Sequence, residues 1–298
     1  MSFNEGASLD TSQVTGGGGG RSGAVIGGGA GGIILLILGL IFGQNLTGSS
    51  NPFDPSQVTG AGDESTATFD QCKTGADANR DDVCRIIGTV NSVQDYWTDA
   101  LPADVKRQYQ EAKTVIFSGS TQSACGTASG ATGPFYCPAD QRVYIDASFF
   151  DELTSKFGAD DGALAQEYVV AHEYGHHVEN ILGFLAKGQD GKTGPLSGGV
   201  RIELMADCMA GVWANHAANT KDDNGVTLLK PLTEEDIKSA LSAAAAVGDD
   251  HIQGTLGGGN VNQETWTHGS SESRQKWFVK GYQSGNVNQC DTFATNDL

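Results

Sequence analysis

The run His172-Glu173-Tyr-Gly-His176 carries the residue types of metal-assisted hydrolysis at the spacing that chemistry requires. Residues four apart on a helix share a face, so both imidazoles can turn a ring nitrogen toward one metal ion. Glu173, one position on, can then reach a water activated by that ion and act as its general base. Two histidines on a solvated helix face are the ordinary alternative. Against it, Val169-Val-Ala171 marks the helix as buried, where an uncompensated carboxylate is costly. A catalytic zinc takes three protein ligands and keeps a position open. His177 lies about 100° around the helix from His176 and should face away. Glu203, in the run Arg201-Ile-Glu-Leu-Met-Ala-Asp-Cys208, belongs to the next long helix and is the candidate third ligand. Asp207 is one turn further on, where it can accept a hydrogen bond from the outer nitrogen of a ligand histidine. His216 is rotated about 140° from Glu203 and is rejected.

Hydrolysis through a tetrahedral oxyanion also needs a hydrogen-bond donor. His268, in Thr267-His-Gly-Ser-Ser271, sits where a loop enters a helix, a position that favours negative charge. It is the catalytic candidate beside Glu173, with Tyr144 or Tyr174 in support; a helix-capping or surface histidine is the competing reading. Arg274 is expected to brace the fold by pairing with Asp249 or Asp250. Trp213, Trp266 and Trp277 are expected in the core.

The elements that must hold these groups follow from periodicity. Apolar residues from Leu164 to Leu182 repeat at helical spacing and stop at Gly183. Further helices are expected over 81–97, after Pro102, over 200–218, from Thr233 with Asp236 as capping-box partner, and over 271–282. Thr114–Phe117 and Arg142–Ile145 read as strands, separated by a loop over 118–140. The order is α+β rather than a repeating βαβ chain.

Before this domain the chain changes character. Gly23 to Gly43 is uncharged and ends in a dense apolar run from Ile33 to Phe42, long enough to cross about 30 Å of hydrocarbon as one helix. A cleaved secretory signal is the rival reading, although no small-x-small site follows promptly. Arg21 precedes the run and no Lys or Arg follows until Lys73, so either reading puts the C-terminal part outside the cytoplasm. The expected organisation is a disordered cytoplasmic segment over 1–22, a transmembrane anchor over 23–43, a flexible linker over 44–70 and one domain over 71–298. The protein would then sit in the cell membrane as a single-pass chain, or be secreted if the segment is cleaved. Six cysteines, all in that domain, fit an oxidising compartment. Short loops pair Cys72 with Cys84 and Cys125 with Cys137, leaving Cys208 for Cys290. A formal net charge of −18 argues against a nucleic-acid partner.

The chain resembles the bacterial neutral zinc metallopeptidase family of the zincin group. The resemblance rests on Thr132–Asp140, Val143–Phe150, His172–His177, Glu203–Trp213, Gly248–Asp250 and Thr267–Arg274, an ordered set far more specific than two histidines and a glutamate alone. It implies a zincin-like fold with a small β-sheet and a helical active-site core. It also implies one Zn2+ per chain held by His172, His176 and Glu203, Asp207 behind them, and a peptide or protein substrate. By the same analogy the run Gln141–Asp146, with Val143, Tyr144 and Ile145, would be the edge strand that aligns an extended substrate. The alternative is a cell-surface binding or scaffold protein that keeps the fold without turnover. Loss of Glu173 or a ligand would favour it, and all are present.

Overall fold

The computed structural model describes residues 1–17, 64–65, 68–255 and 257–298. Within them a mixed five-stranded sheet lies against a helical core. In chain order the strands are β1 (Val14–Gly17), β2 (Glu64–Ser65), β3 (Lys113–Phe117), β4 (Ser120–Ser123), β5 (Gly126–Ser129), β6 (Phe135–Cys137) and β7 (Arg142–Asp146). The helices are α1 (Gly75–Ala78), α2 (Asp82–Val105), α3 (Phe149–Ser155), α4 (Ala163–Leu182), α5 (Leu185–Gly188), α6 (Gly198–His216), α7 (Glu234–Ala246), α8 (Asp249–Thr255) and α9 (Ser271–Ser284).

The large sheet has the order β2-β1-β3-β7-β6, and β4 pairs with β5 in a separate hairpin. Strand β3 runs parallel to both β1 and β7, while β6 is antiparallel to β7. Alternation along the strands divides the side chains between two faces. Ile116, Val143, Ile145 and Tyr136 join the main core, whereas Val115, Phe117, Phe135 and Tyr144 form a smaller cluster with Ala128 of the hairpin. The expected loop over 118–140 therefore contains three short strands. The Cys125–Cys137 disulfide ties the hairpin turn to β6.

Helix α4 forms where the apolar periodicity placed it and ends at Gly183, whose φ of 79° is left-handed. Glycine tolerates that conformation without a Cβ clash. Nearly every residue of α4 from Leu164 to Glu179 is buried. Helix α6 starts at Ser197, whose hydroxyl accepts the Val200 N–H, and α7 starts at the Thr233/Asp236 capping box. The helix expected after Pro102 is instead the last turn of α2, which continues through that proline to Val105. A proline there removes one N–H bond to a carbonyl one turn back, at exposed Thr98, where water can replace it. Disulfides join Cys72 to Cys84, Cys125 to Cys137 and Cys208 to Cys290, as the loop lengths suggested.

Residues 1–17, expected as part of a disordered segment, are folded onto the domain. Phe3 and Ala7 are fully buried and Val14 is nearly so. Two asparagine side chains clamp the backbone as a neighbouring strand would. Asn79 accepts from the Phe3 N–H at 2.8 Å and donates to the Phe3 carbonyl at 3.0 Å; Asn91 does the same for Asp10, at 2.9 Å each way. Low overall hydrophobicity concealed a segment in which a few apolar side chains and a satisfied backbone suffice. Among the described residues no helix is long and apolar enough to cross a membrane. The expected anchor over 23–43 and most of the linker over 44–70 lie outside the described residues.

Candidate active site

Helices α4 and α6 meet at a glycine. A Cβ built on Gly175 would lie 2.9 Å from the Ala206 Cα and 3.1 Å from its Cβ, so only hydrogen at that position lets the two backbones approach this closely. Gly175 stands one residue before His176, and Ala206 stands between Glu203 and Asp207. The contact therefore brings the turns that carry the candidate ligands face to face.

One potential ligand atom from each of His172, His176 and Glu203 lies within 4.8 Å of the others. His172 Nε2 is 3.2 Å from Glu203 Oε2, and His176 Nε2 is 3.6 Å from Glu203 Oε1. Both histidines turn their Nδ1 outward: His172 to Asp207 at 2.8 Å and His176 to Glu179 at 2.8 Å. All five residues are buried. Glu203 Oε1 is buried without a hydrogen-bond partner. Two inward Nε2 atoms, outward Nδ1 atoms held by carboxylates and an orphaned carboxylate oxygen fit a divalent transition metal such as zinc. Sequence reading missed Glu179, although its position three residues after His176 on one helix face was a readable signal.

The electrostatics follow from burial and near neighbours. Burial raises the Glu173 carboxyl to about 7, against the opposing charge of His172 and a hydrogen bond from the Tyr136 backbone N–H. A carboxyl titrating there is suited to taking up and releasing protons at neutral pH. Burial pushes Glu179 well above the ordinary carboxylate range. Burial would raise Asp207 too, but the Arg274 charge and His172 hold it down at about 2.

His268 is buried on the same site. The Asp249 Oδ2 accepts the backbone N–H groups of Thr267, His268 and Gly269 at 2.7, 2.7 and 2.9 Å. Its Oδ1 faces His268 Nδ1 at 3.4 Å, and Thr267 Oγ1 is 3.0 Å from the same nitrogen. The ring is thus oriented by its Nδ1 side, leaving Nε2 as its other functional atom. His268 and Glu203 are near enough for the charge of each to shift the other: opposing burial, His268 lowers Glu203 and Glu203 raises His268.

Several expected assignments change. Arg274 pairs with Asp207, through Nε to Oδ2 at 2.8 Å and Nη2 to Oδ1 at 2.9 Å. Asp249 and Asp250 are occupied elsewhere, the latter by the Ser271 N–H at 2.7 Å and hydroxyl at 2.8 Å. The Tyr144 hydroxyl donates to Asp140, and that of Tyr174 is engaged by Thr114 and Ala112, so both phenols are held outside the metal-ligand cluster. The run containing Val143, Tyr144 and Ile145 is interior strand β7, with β3 on one side and β6 on the other. A strand whose two edges are filled cannot receive a substrate. Among the described residues β6 and β2 are the two edges of the large sheet, and the Tyr136 N–H of β6 reaches Glu173. His177 faces away from the pair, between the Tyr136 hydroxyl and the Gln110 carbonyl. His216 binds the Gly285 carbonyl and stacks on Tyr96.

A helix carrying two histidines one turn apart, a glutamate presented by the next long helix and a mixed sheet whose edge strand borders them define a zincin-like domain. The chain belongs to the family described as "Putative neutral zinc metallopeptidase", which matches residues 5–293. Rv2575 of Mycobacterium tuberculosis (strain ATCC 25618 / H37Rv) is 51% identical over 304 residues, covering 100% of each chain. YpfJ of Escherichia coli (strain K12) is 39% identical over 224 residues, which take in 72% of this chain and 73% of YpfJ. No solved structure matches the chain.

Proposed function

We propose that this protein is a zinc-dependent endopeptidase with Glu173 as general base. The observation that carries the reading is the convergence of His172 Nε2, His176 Nε2 and Glu203 directly beside a buried glutamate that titrates near neutrality. Zinc held there would act as a Lewis acid on the scissile carbonyl and lower the pKa of a water. Glu173 takes the proton of the attacking water and passes it to the leaving amine. His268, oriented by Asp249, donates from its Nε2 to the oxyanion. Edge strand β6 borders the place where an extended peptide would lie, its Tyr136 N–H holding Glu173 at that border. Three disulfides support a location outside the cytoplasm.

The test compares zinc content and peptide hydrolysis of the full-length wild type and Glu173→Gln. Both proteins should bind zinc in a one-to-one ratio, and the variant should lose roughly 100- to 10,000-fold in turnover. Equal activity in the two proteins would remove Glu173 from the mechanism. A folded wild type that takes up no zinc would end the metallopeptidase reading.

A further inference from the structure

Arg274 enters the site from helix α9, far along the chain from every candidate ligand. Its side chain is 3% exposed, so its charge has been taken out of water and must be compensated locally. The compensation is specific. The guanidinium grips both oxygens of Asp207, at 2.8 and 2.9 Å. The same Nη2 lies 3.2 Å from the Tyr168 hydroxyl, and Nη1 lies 3.3 Å from the Val247 carbonyl. Tyr168, on α4 one turn before His172, donates its own hydroxyl proton to Asp207 Oδ1 at 2.5 Å. That oxygen is also the one facing His172 Nδ1 at 2.8 Å.

A carboxylate held at only one oxygen can rotate about its terminal torsion, which is broad and shallow. Here the planar fork fixes both oxygens at once, and Tyr168 fixes the one that meets the imidazole. A close backbone approach between α9 and α6 reinforces this. A Cβ on Gly281 would fall 1.9 Å from the Cys208 carbonyl oxygen, so these helices touch through backbone immediately after Asp207. The guanidinium is therefore delivered by a rigid contact.

We propose that Arg274 and Tyr168 are positioning residues for metal binding: together they lock the Asp207 carboxylate so that His172 is held with Nε2 directed at the metal. This rests on the zinc reading above and extends it to residues that touch neither metal nor substrate. Arg274 is suited to the task because the surrounding site is rich in carboxylates. Glu173, Glu179, Glu203 and Asp207 are all buried, and a fixed cation behind them offsets their mutual repulsion before any metal arrives.

The full-length protein, stripped of metal, is titrated with Zn2+ in competition with a chromophoric chelator. Arg274→Gln should weaken zinc binding by about ten- to a hundredfold, the usual effect of losing an outer-shell partner. Arg274→Lys should fall between it and the wild type, since an ammonium keeps the charge and loses the fork. Tyr168→Phe removes one hydroxyl and keeps the ring, and should weaken zinc binding by a smaller factor.

A merely structural brace would lower the melting temperatures of the metal-free and zinc-loaded forms alike and leave the zinc dissociation constant unchanged. That result in folded Arg274→Gln overturns the proposal. Should Arg274→Gln fail to fold, unchanged zinc affinity in both Arg274→Lys and Tyr168→Phe overturns it equally. A wild type that binds no zinc refutes the underlying site instead, which separates the two failures.

Discussion

His172 and His176 have the same side chain on the same helix face, yet the structure sets them at opposite ends of the imidazole range. Burial alone would depress His172, but the Asp207 charge, with hydrogen bonds to Asp207 and Glu203, outweighs it and raises the ring to about 9. His176 has burial as its largest influence, and drops to about 3. At neutral pH the metal-free pair therefore carries a proton on His172 and none on His176. A zinc ion must displace that proton, because only the free imidazole nitrogen is a ligand. The sign follows directly: as pH rises toward about 9 the competing proton is lost, so zinc should bind more tightly, by roughly tenfold per pH unit, and level off above that range. Calorimetric titration in two buffers of different ionisation enthalpy should show at least one proton released per zinc at neutral pH. An affinity independent of pH across this range would show that His172 is already neutral in the metal-free protein.

At the scale of elements, the candidate ligand set depends on how closely α4 and α6 pack, and Gly175 sets that distance. Gly175→Ala would place a methyl group 2.9 Å from the Ala206 Cα, a backbone atom that cannot turn aside. The expected result is a stability loss of about 1–3 kcal/mol from overpacking, with weakened zinc binding and unchanged helical circular dichroism. Unimpaired zinc affinity in the variant would mean that Glu203 follows the helix shift without cost. Much of this arrangement was legible in the sequence because helical neighbours are sequence neighbours. The spacings of His172 to His176 and Glu203 to Asp207, the end at Gly183 and the capping box at Thr233 are all local facts. The edge position of β6 was not legible, because strand order is fixed by partners distant in sequence and periodicity speaks only of faces. Phe135–Cys137 is three residues long and gave no alternation to count. The same limit hid the pairing of Arg274 with Asp207, 67 residues away; adjacent Asp249 and Asp250 were the plausible but wrong partners.

For the whole molecule, the deciding feature is that the chain before the apolar run and the chain after it meet in one sheet. Gly16 and Gly17 pair with Ser65 and Glu64, and Val14 to Gly16 pair with Thr114 to Ile116 of β3. A chain that crossed a bilayer once between Gly17 and Glu64 would leave β1 and β2 on opposite faces, separated by about 30 Å of hydrocarbon. The β1–β2 pairing and a single crossing therefore make opposite predictions for residues 1–17. Packing holds the same segment to the domain, since Phe3 is fully buried and its ring atom would lie 2.5 Å from a Cβ on Gly88 of α2. The two ends of the molecule can be compared directly with single-cysteine reporters in the full-length protein. Gly6 is exposed, and a Cβ there meets nothing within 4 Å; Asp223 is exposed on the domain. Intact cells producing Gly6→Cys or Asp223→Cys are treated with a membrane-impermeant maleimide. Both positions should react or both should be protected, as they must be if residues 1–17 fold with helices α4 and α6 on one side of any membrane. Labelling of Asp223→Cys with protection of Gly6→Cys would place them on opposite sides, and would mean that β1 leaves the sheet when the protein is in its cellular setting.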